Sequence, residues 1–317
     1  MHVVRYAAIL ALGLPIASLA QSMPPWSNGM NNPAPEKDQI LGAADVDNVP
    51  DLHGNPEGAA LVLFVGGNQF FVMPALIRGF ERNHPELRGR IFYETLPPGL
   101  LRKQMEEGGL LTLGNLTLRV KPDVYEAGAQ TIDELVKTGA IDHATRYTTN
   151  NLEIMVAKGN PKGIKSLRDL ARGDLRLSMP NPKMEGVARQ IAESLRKAGG
   201  DALADTLYRA KVDDGSAYLT EIHHRQTPMR IMADKSDAGV VWSSEVRFQE
   251  QAGNPLEGVK IPAAENAVGT YSAGVVTGCA HRQAAEAWVA YLNSDEAQQA
   301  YAQFGFRPVT AHDARSK

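Results

Sequence analysis

"ALVLFVGGNQFFVMPALIRGFERNHPEL", residues 60–87, holds the pattern on which the fold turns. Its opening run is apolar up to Val65, too short for a buried helix, and stops at Gly66-Gly67. Beyond the glycines, Val72, Leu76 and Phe80 recur at i, i+4 and i+8 with Ile77 on the same face, until Pro85 ends the period. A buried strand, a glycine turn and an amphipathic helix, in that order, open an α/β fold with parallel strands.

The alternation continues outward. "RIFYETL" (90–96) reads as a strand, and "PPGLLRKQMEEG" turns into a helix. "LLTLGNLTL" (110–118) reads as a hairpin around Gly114-Asn115. "PDVYEAGA" (122–129) is a strand running into a loop, followed by a helix opening at Thr131. Further on come a strand at 150–161, a short helix with Ser166 as N-cap, and "LRLSMPNP" (175–182), a strand ending in a Pro-Asn-Pro turn. Val187, Ile191 and Leu195 mark the stripe of a helix closed by Gly199-Gly200. "YLTEIHHRQTPMRIMADKS" reads as a helix and its continuation, and the apolar strand 238–242 breaks off at Ser243-Ser244. "RQAAEAWVAYLNSDEAQQAYAQFGF" is the closing helix. Two extended crossings, near 144–157 and 259–274, suit strands that link a pair of lobes. The first lobe then takes 59–148 and 266–310, the second 149–265, with a tail at 311–317.

Both ends lie outside this pattern. Arg5, the apolar "YAAILALGL", Pro15 and the small residues of Ser18-Leu19-Ala20 predict a signal peptide over 1–20, cleaved after Ala20, and so an exported, periplasmic protein. Residues 21–58 are rich in Pro, Asn, Gly and Asp and predict an extended arm. Its "DVDNVPD" lacks the central Gly and closing Glu of an EF-hand loop. The single cysteine, Cys279, excludes an internal disulfide and reads as a small buried hydrophobe. A formal charge of −3, or −4 once Arg5 is removed, excludes nucleic acid as a natural partner.

In this order of elements the chain resembles the periplasmic solute-binding proteins of ABC transporters, type II, and within them the molybdate-binding family. The resemblance runs from about Ala59 to Phe306. It is carried by "LVLFVGGNQFFVMPALIRGFERNHPE", "KPDVYEAGA", "LSMPNPKMEGVARQIAESL", "DAGVVWSSEV", "YSAGVV" and "WVAYLNSDEAQQAYAQFGF". It implies an α/β fold of two lobes, each a mostly parallel sheet flanked by helices, joined by two crossover strands. It also implies a monomer without cofactor or catalytic residues, which closes on a small solute, an oxyanion such as molybdate or tungstate, and delivers it to an ABC permease. The family's contact loops map onto Gly67, Asn68 and Gln69, onto Glu126 and Ala127, onto Pro182, Lys183, Met184 and Glu185, and onto Ser243 and Ser244.

These residue types suit an anion. Glycines let backbone N–H groups approach closely, and a helix N-terminus carries about half a positive charge. Asn68, Asn181 with Pro182, and Ser243 or Ser244 stand where caps or ligand groups are expected. The carboxylates point the other way, since Glu126, Glu185 and Glu245 on the same loops suit a divalent metal or a polar organic solute. His223-His224 read as surface or packing residues, because adjacent helical side chains diverge by about a hundred degrees. A third alternative is a periplasmic interaction protein that docks a partner through the arm. Hydrolase, metalloprotease and P-loop signatures are absent from the sequence.

Overall fold

The structure is a computed structural model that describes residues 51–113, 116–183, 185–221 and 226–310. In chain order the first lobe contains β1 (Leu52–His53), β2 (Leu61–Val65), α1 (Met73–Asn83), β3 (Ile91–Glu94) and α2 (Pro98–Glu106). It continues through β4 (Leu110–Leu113), β5 (Leu116–Arg119), β6 (Val124–Gly128), α3 (Ala129–Lys137) and β7 (Ile141–Asn150). The chain then crosses into β8 (Leu152–Ala157), β9 (Leu177–Met179), α4 (Val187–Asp205), α5 (Lys211–Asp213) and β10 (Ala217–Leu219). After α6 (Gln226–Met232), β11 (Ala238–Trp242), α7 (Ser243–Gln251) and β12 (Leu256–Lys260) it returns as β13 (Gly269–Val276), α8 (Arg282–Tyr291) and α9 (Asp295–Gln303).

Two sheets result, ordered β1-β3-β2-β6-β13-β7 and β10-β9-β11-β8-β12, with β4 and β5 forming a separate hairpin. The two-lobed α/β fold is as the sequence leads one to expect. The pairing is more mixed than alternation alone suggests. β3, β2 and β6 pair in parallel, as do β10, β9 and β11, because a helix returns the chain between successive strands. The crossing strands pair antiparallel, β13 with β6 and β7, and β8 with β11 and β12.

β2 is buried at all five residues and presses Leu63 and Val65 toward α1, where Leu76 and Phe80 are sealed. Phe80 meets Trp288 of α8 edge-on at 5.0 Å between ring centroids. A methyl group on Gly79 would stand 2.0 Å from the Tyr291 hydroxyl, so the close approach of α1 and α8 depends on that glycine.

Several local expectations shift. Leu52–His53, within the stretch read as an arm, pair with β3. "YLT" begins as strand β10 rather than helix, because it pairs in parallel with β9. The closing helix divides in two, since Ser294 caps α9 by accepting from the Ala297 N–H at 3.2 Å. α4 is interrupted at Gly199-Gly200, where Gly200 has a φ of +72°. Residues 1–50, including the signal peptide and most of the arm, lie outside the described residues, as do Met184, His223-His224 and the tail 311–317. Among the described residues no helix is long and apolar enough to cross a membrane.

Candidate functional site

The segments that follow β2, β3, β6, β9 and β11 all reach one cavity of about 270 Å³ between the lobes. The first lobe supplies Gly67 and Asn68, then Pro97-Pro98, then Gly128 to Thr131. The second supplies Glu185 to Val187, with Arg189 and Gln190 on the first turn of α4. Trp242 and the start of β13, from Val268 to Tyr271, close the side where the chain crosses. Trp242 fits against β13 because residue 269 is glycine, where a methyl group would lie 2.4 Å from the indole.

α2, α3 and α4 begin at this cavity, and their N-caps, Pro97, Gly128 and Gly186, make no side-chain cap hydrogen bond. The first N–H groups of a helix have no partner within it, and they carry the positive end of its dipole. α2 gives fewer donors than the others, since Pro98 has no N–H. Elsewhere Ser166 and Ser294 satisfy such groups locally with their side chains. The cavity thus has uncapped dipole ends from both lobes. Arg189 of α4 reaches across to the Gln130 amide oxygen of α3 and spans the mouth. Gln190 turns a buried amide oxygen with no partner among the described residues.

The residues singled out from the sequence divide in three. Gly67, Asn68 and Glu185 line this cavity. Pro182 and Lys183 line an adjoining one, and Met184 lies outside the described residues. The other five turn elsewhere. Gln69 is buried in the first lobe, where its amide donates to Tyr147 Oη at 2.7 Å and accepts from Tyr301 Oη at 2.9 Å. Ala127, within β6, is sealed in the first lobe's core. Glu126 accepts from Trp288 Nε1 at 2.7 Å, and its burial pushes its carboxyl up to about 7 against hydrogen bonds from Trp288 and Tyr147. Ser243 donates to Asn150 Oδ1 at 2.8 Å, and Ser244 accepts from Asn150 Nδ2 at 2.7 Å. Those hydroxyls bind the crossing strand, and Ser243 borders a different cavity with Lys260 and Arg307.

The proposed caps move as well. Asn68 donates to Tyr271 Oη at 2.7 Å instead of capping a helix. Asn181 closes a turn on the Lys183 N–H at 3.0 Å, and α4 starts only at Val187. Trp242, not a serine, is the N-cap of α7. The carboxylates do not assemble a cation site. Glu126 faces Trp288, Glu185 faces the Thr220 hydroxyl, and Glu245 is buried in α7. Among the described residues no group of three or more potential metal ligands is gathered.

Sequence reasoning missed Trp242, Tyr271, Gln130, Arg189 and Gln190. The signal for the last two was present: on α4 they stand on the first turn, away from the stripe of Val187, Ile191 and Leu195.

Comparison with known proteins places these features in context. The description "bacterial extracellular solute-binding protein" matches residues 61–307. YvgL of Bacillus subtilis (strain 168), named as an ABC transporter substrate-binding lipoprotein, is 24% identical over 231 residues, 72% of this chain and 79% of its own. The molybdate-binding protein ModA of Mycobacterium tuberculosis (strain H37Rv) is 24% identical over 194 residues, 60% of this chain and 67% of its own. The solved sulfate-binding protein SubI from Mycobacterium tuberculosis H37Rv superposes with a TM-score of 0.64 at 20% identity, covering 80% of this chain and 88% of that one. With the family matched from β2 to the end of the described fold, this chain belongs to the bacterial extracellular solute-binding proteins.

Proposed function

We propose that this protein is the exported, periplasmic receptor of an ABC transporter. It captures a solute that presents a small oxyanion, the class of molybdate, tungstate and sulfate, and delivers it to a membrane permease. It acts as a monomer and binds its solute without transforming it. The observation that carries this reading is the convergence of three uncapped helix N-termini, from both lobes, on one cavity. Fixed neutral donors of this kind favour an anion without requiring a counter-charge. Glu126 turns away toward Trp288, and Glu185, the carboxylate that does line the cavity, accepts from the Thr220 hydroxyl. The molybdate and sulfate ligands named for the similar proteins support the same class.

A thermal-shift panel tests it. Molybdate, tungstate or sulfate at a hundredfold Kd stabilises by about 2.7 kcal/mol, which raises Tm by several degrees. Divalent cations and chloride leave Tm in place. A response to the cations and none to the oxyanions contradicts the reading.

A further inference from the structure

We propose that the solute is an organic anion with two polar ends: an oxyanion head in the inner cleft and a second anionic group in an outer compartment. This rests on the oxyanion reading above and narrows its substrate class. The outer compartment measures about 550 Å³. It shares Pro98, Thr131, Glu185, Gly186 and Arg189 with the inner cavity, so the two form one continuous cleft. A bare tetrahedral oxyanion held at the helix ends would leave most of that length unused.

The outer wall is cationic. Arg102, Lys183, Arg189 and Arg196 line it, against Glu185 and Asp205. Both acids are engaged, Glu185 with the Thr220 hydroxyl and Asp205 with Arg209 at 3.0 Å. Arg102 and Arg196 are paired in turn with Glu106 and Asp201, each at 2.9 Å. Two cations remain. Lys183 is exposed with no ion pair among the described residues, and Arg189 is held by the neutral Gln130 amide. Their positions suit a second negative group on the ligand.

Tyr208 supplies an independent sign. It lines the same compartment, and its hydroxyl is buried with no hydrogen-bond partner among the described residues. A buried hydroxyl left unmatched is costly, and an oxygen of the ligand's outer group would satisfy it. A bare inorganic anion at the inner helix ends offers nothing at that position.

Calorimetric titration with methylphosphonate and phosphonoacetate, which share a head and differ in the second charge, tests the proposal. Phosphonoacetate is expected to bind about tenfold tighter or more, the scale of one charge-assisted hydrogen bond. Lys183→Ala should collapse the ratio of the two affinities toward one. Tyr208→Phe should lower that ratio without lowering the Tm of the free protein, which separates ligand contact from folding. Equal affinities, a preference for molybdate or sulfate over both phosphonates, or a ratio untouched by both variants overturns the two-ended ligand and leaves the oxyanion reading standing. No binding of any of the four anions overturns both.

Discussion

Glu126 sits at 0% exposure with its carboxyl pushed up to about 7, where the unfolded chain ionises near 4.5. Between those values the unfolded state releases a proton that the folded state keeps. Stability from this group is therefore full below pH 4.5 and falls as pH rises through 7, by about 3 kcal/mol in all. Glu94, buried beside Gln104 and likewise raised to about 7, adds a slope of the same sign. Glu126→Gln keeps an acceptor for Trp288 and removes the titration. It should flatten roughly half of the stability change between pH 4.5 and 7 and stabilise the protein at pH 8, read from urea midpoints at both ends. An unchanged slope would mean that Glu126 reaches solvent. The sequence could not orient this residue, because β6 is buried on both faces and alternation gives no sign of which side a carboxylate takes. Gly67 was easier to place, because it directly follows the buried run of β2 and so falls at the strand's end, beside the cavity.

At the scale of elements, the crossings carry more side-chain bonding than their sequence announces. Asn150, buried at the end of β7, joins both Ser243 and Ser244 at the start of α7. Asn266 pairs with both backbone groups of Leu152, accepting its N–H at 3.0 Å and donating to its carbonyl at 2.8 Å, so it stitches one crossing to the other. Arg307, past the last helix, exchanges backbone bonds of 2.8 and 3.0 Å with Thr149. The crossings were visible as long runs without helical period, whereas their cross-links were not. Serines at the mouth of a helix look alike whether they face a ligand or a neighbouring strand. Asn150→Ala removes two bonds and strands the buried Ser244 hydroxyl, so it should cost about 2–4 kcal/mol of stability in urea denaturation. Ser244→Ala should cost about 1 kcal/mol while leaving oxyanion affinity within about twofold. A large loss of affinity with stability intact would restore the serines to the ligand site.

Across the whole molecule, hydrophobic patterning decided most of the architecture. The buried run of β2 and the stripe of α1 announced an α/β lobe, and the unbroken extended segments announced its partner. The cleft was less legible, because its chemistry resides in backbone N–H groups at helix starts, which no residue type marks. Boundaries there moved by up to five residues, the N-cap of α4 from Asn181 to Gly186, and each shift exchanged a side-chain candidate for a main-chain one. Residues such as Trp242 and Tyr271 enter the site only because two distant segments meet at 5.8 Å between ring centroids. The proposed oxyanion sits where α2, α3 and α4 begin. Crystals grown with tungstate test that position, since the metal's anomalous scattering locates the anion without assumption. One strong peak is expected within hydrogen-bond reach of the main-chain N–H groups at 129–131 and 186–187, since the Ala188 N–H already donates to the Glu185 carbonyl at 3.1 Å; a peak confined to surface lysines, or no peak in the cleft at saturating tungstate, would overturn that placement.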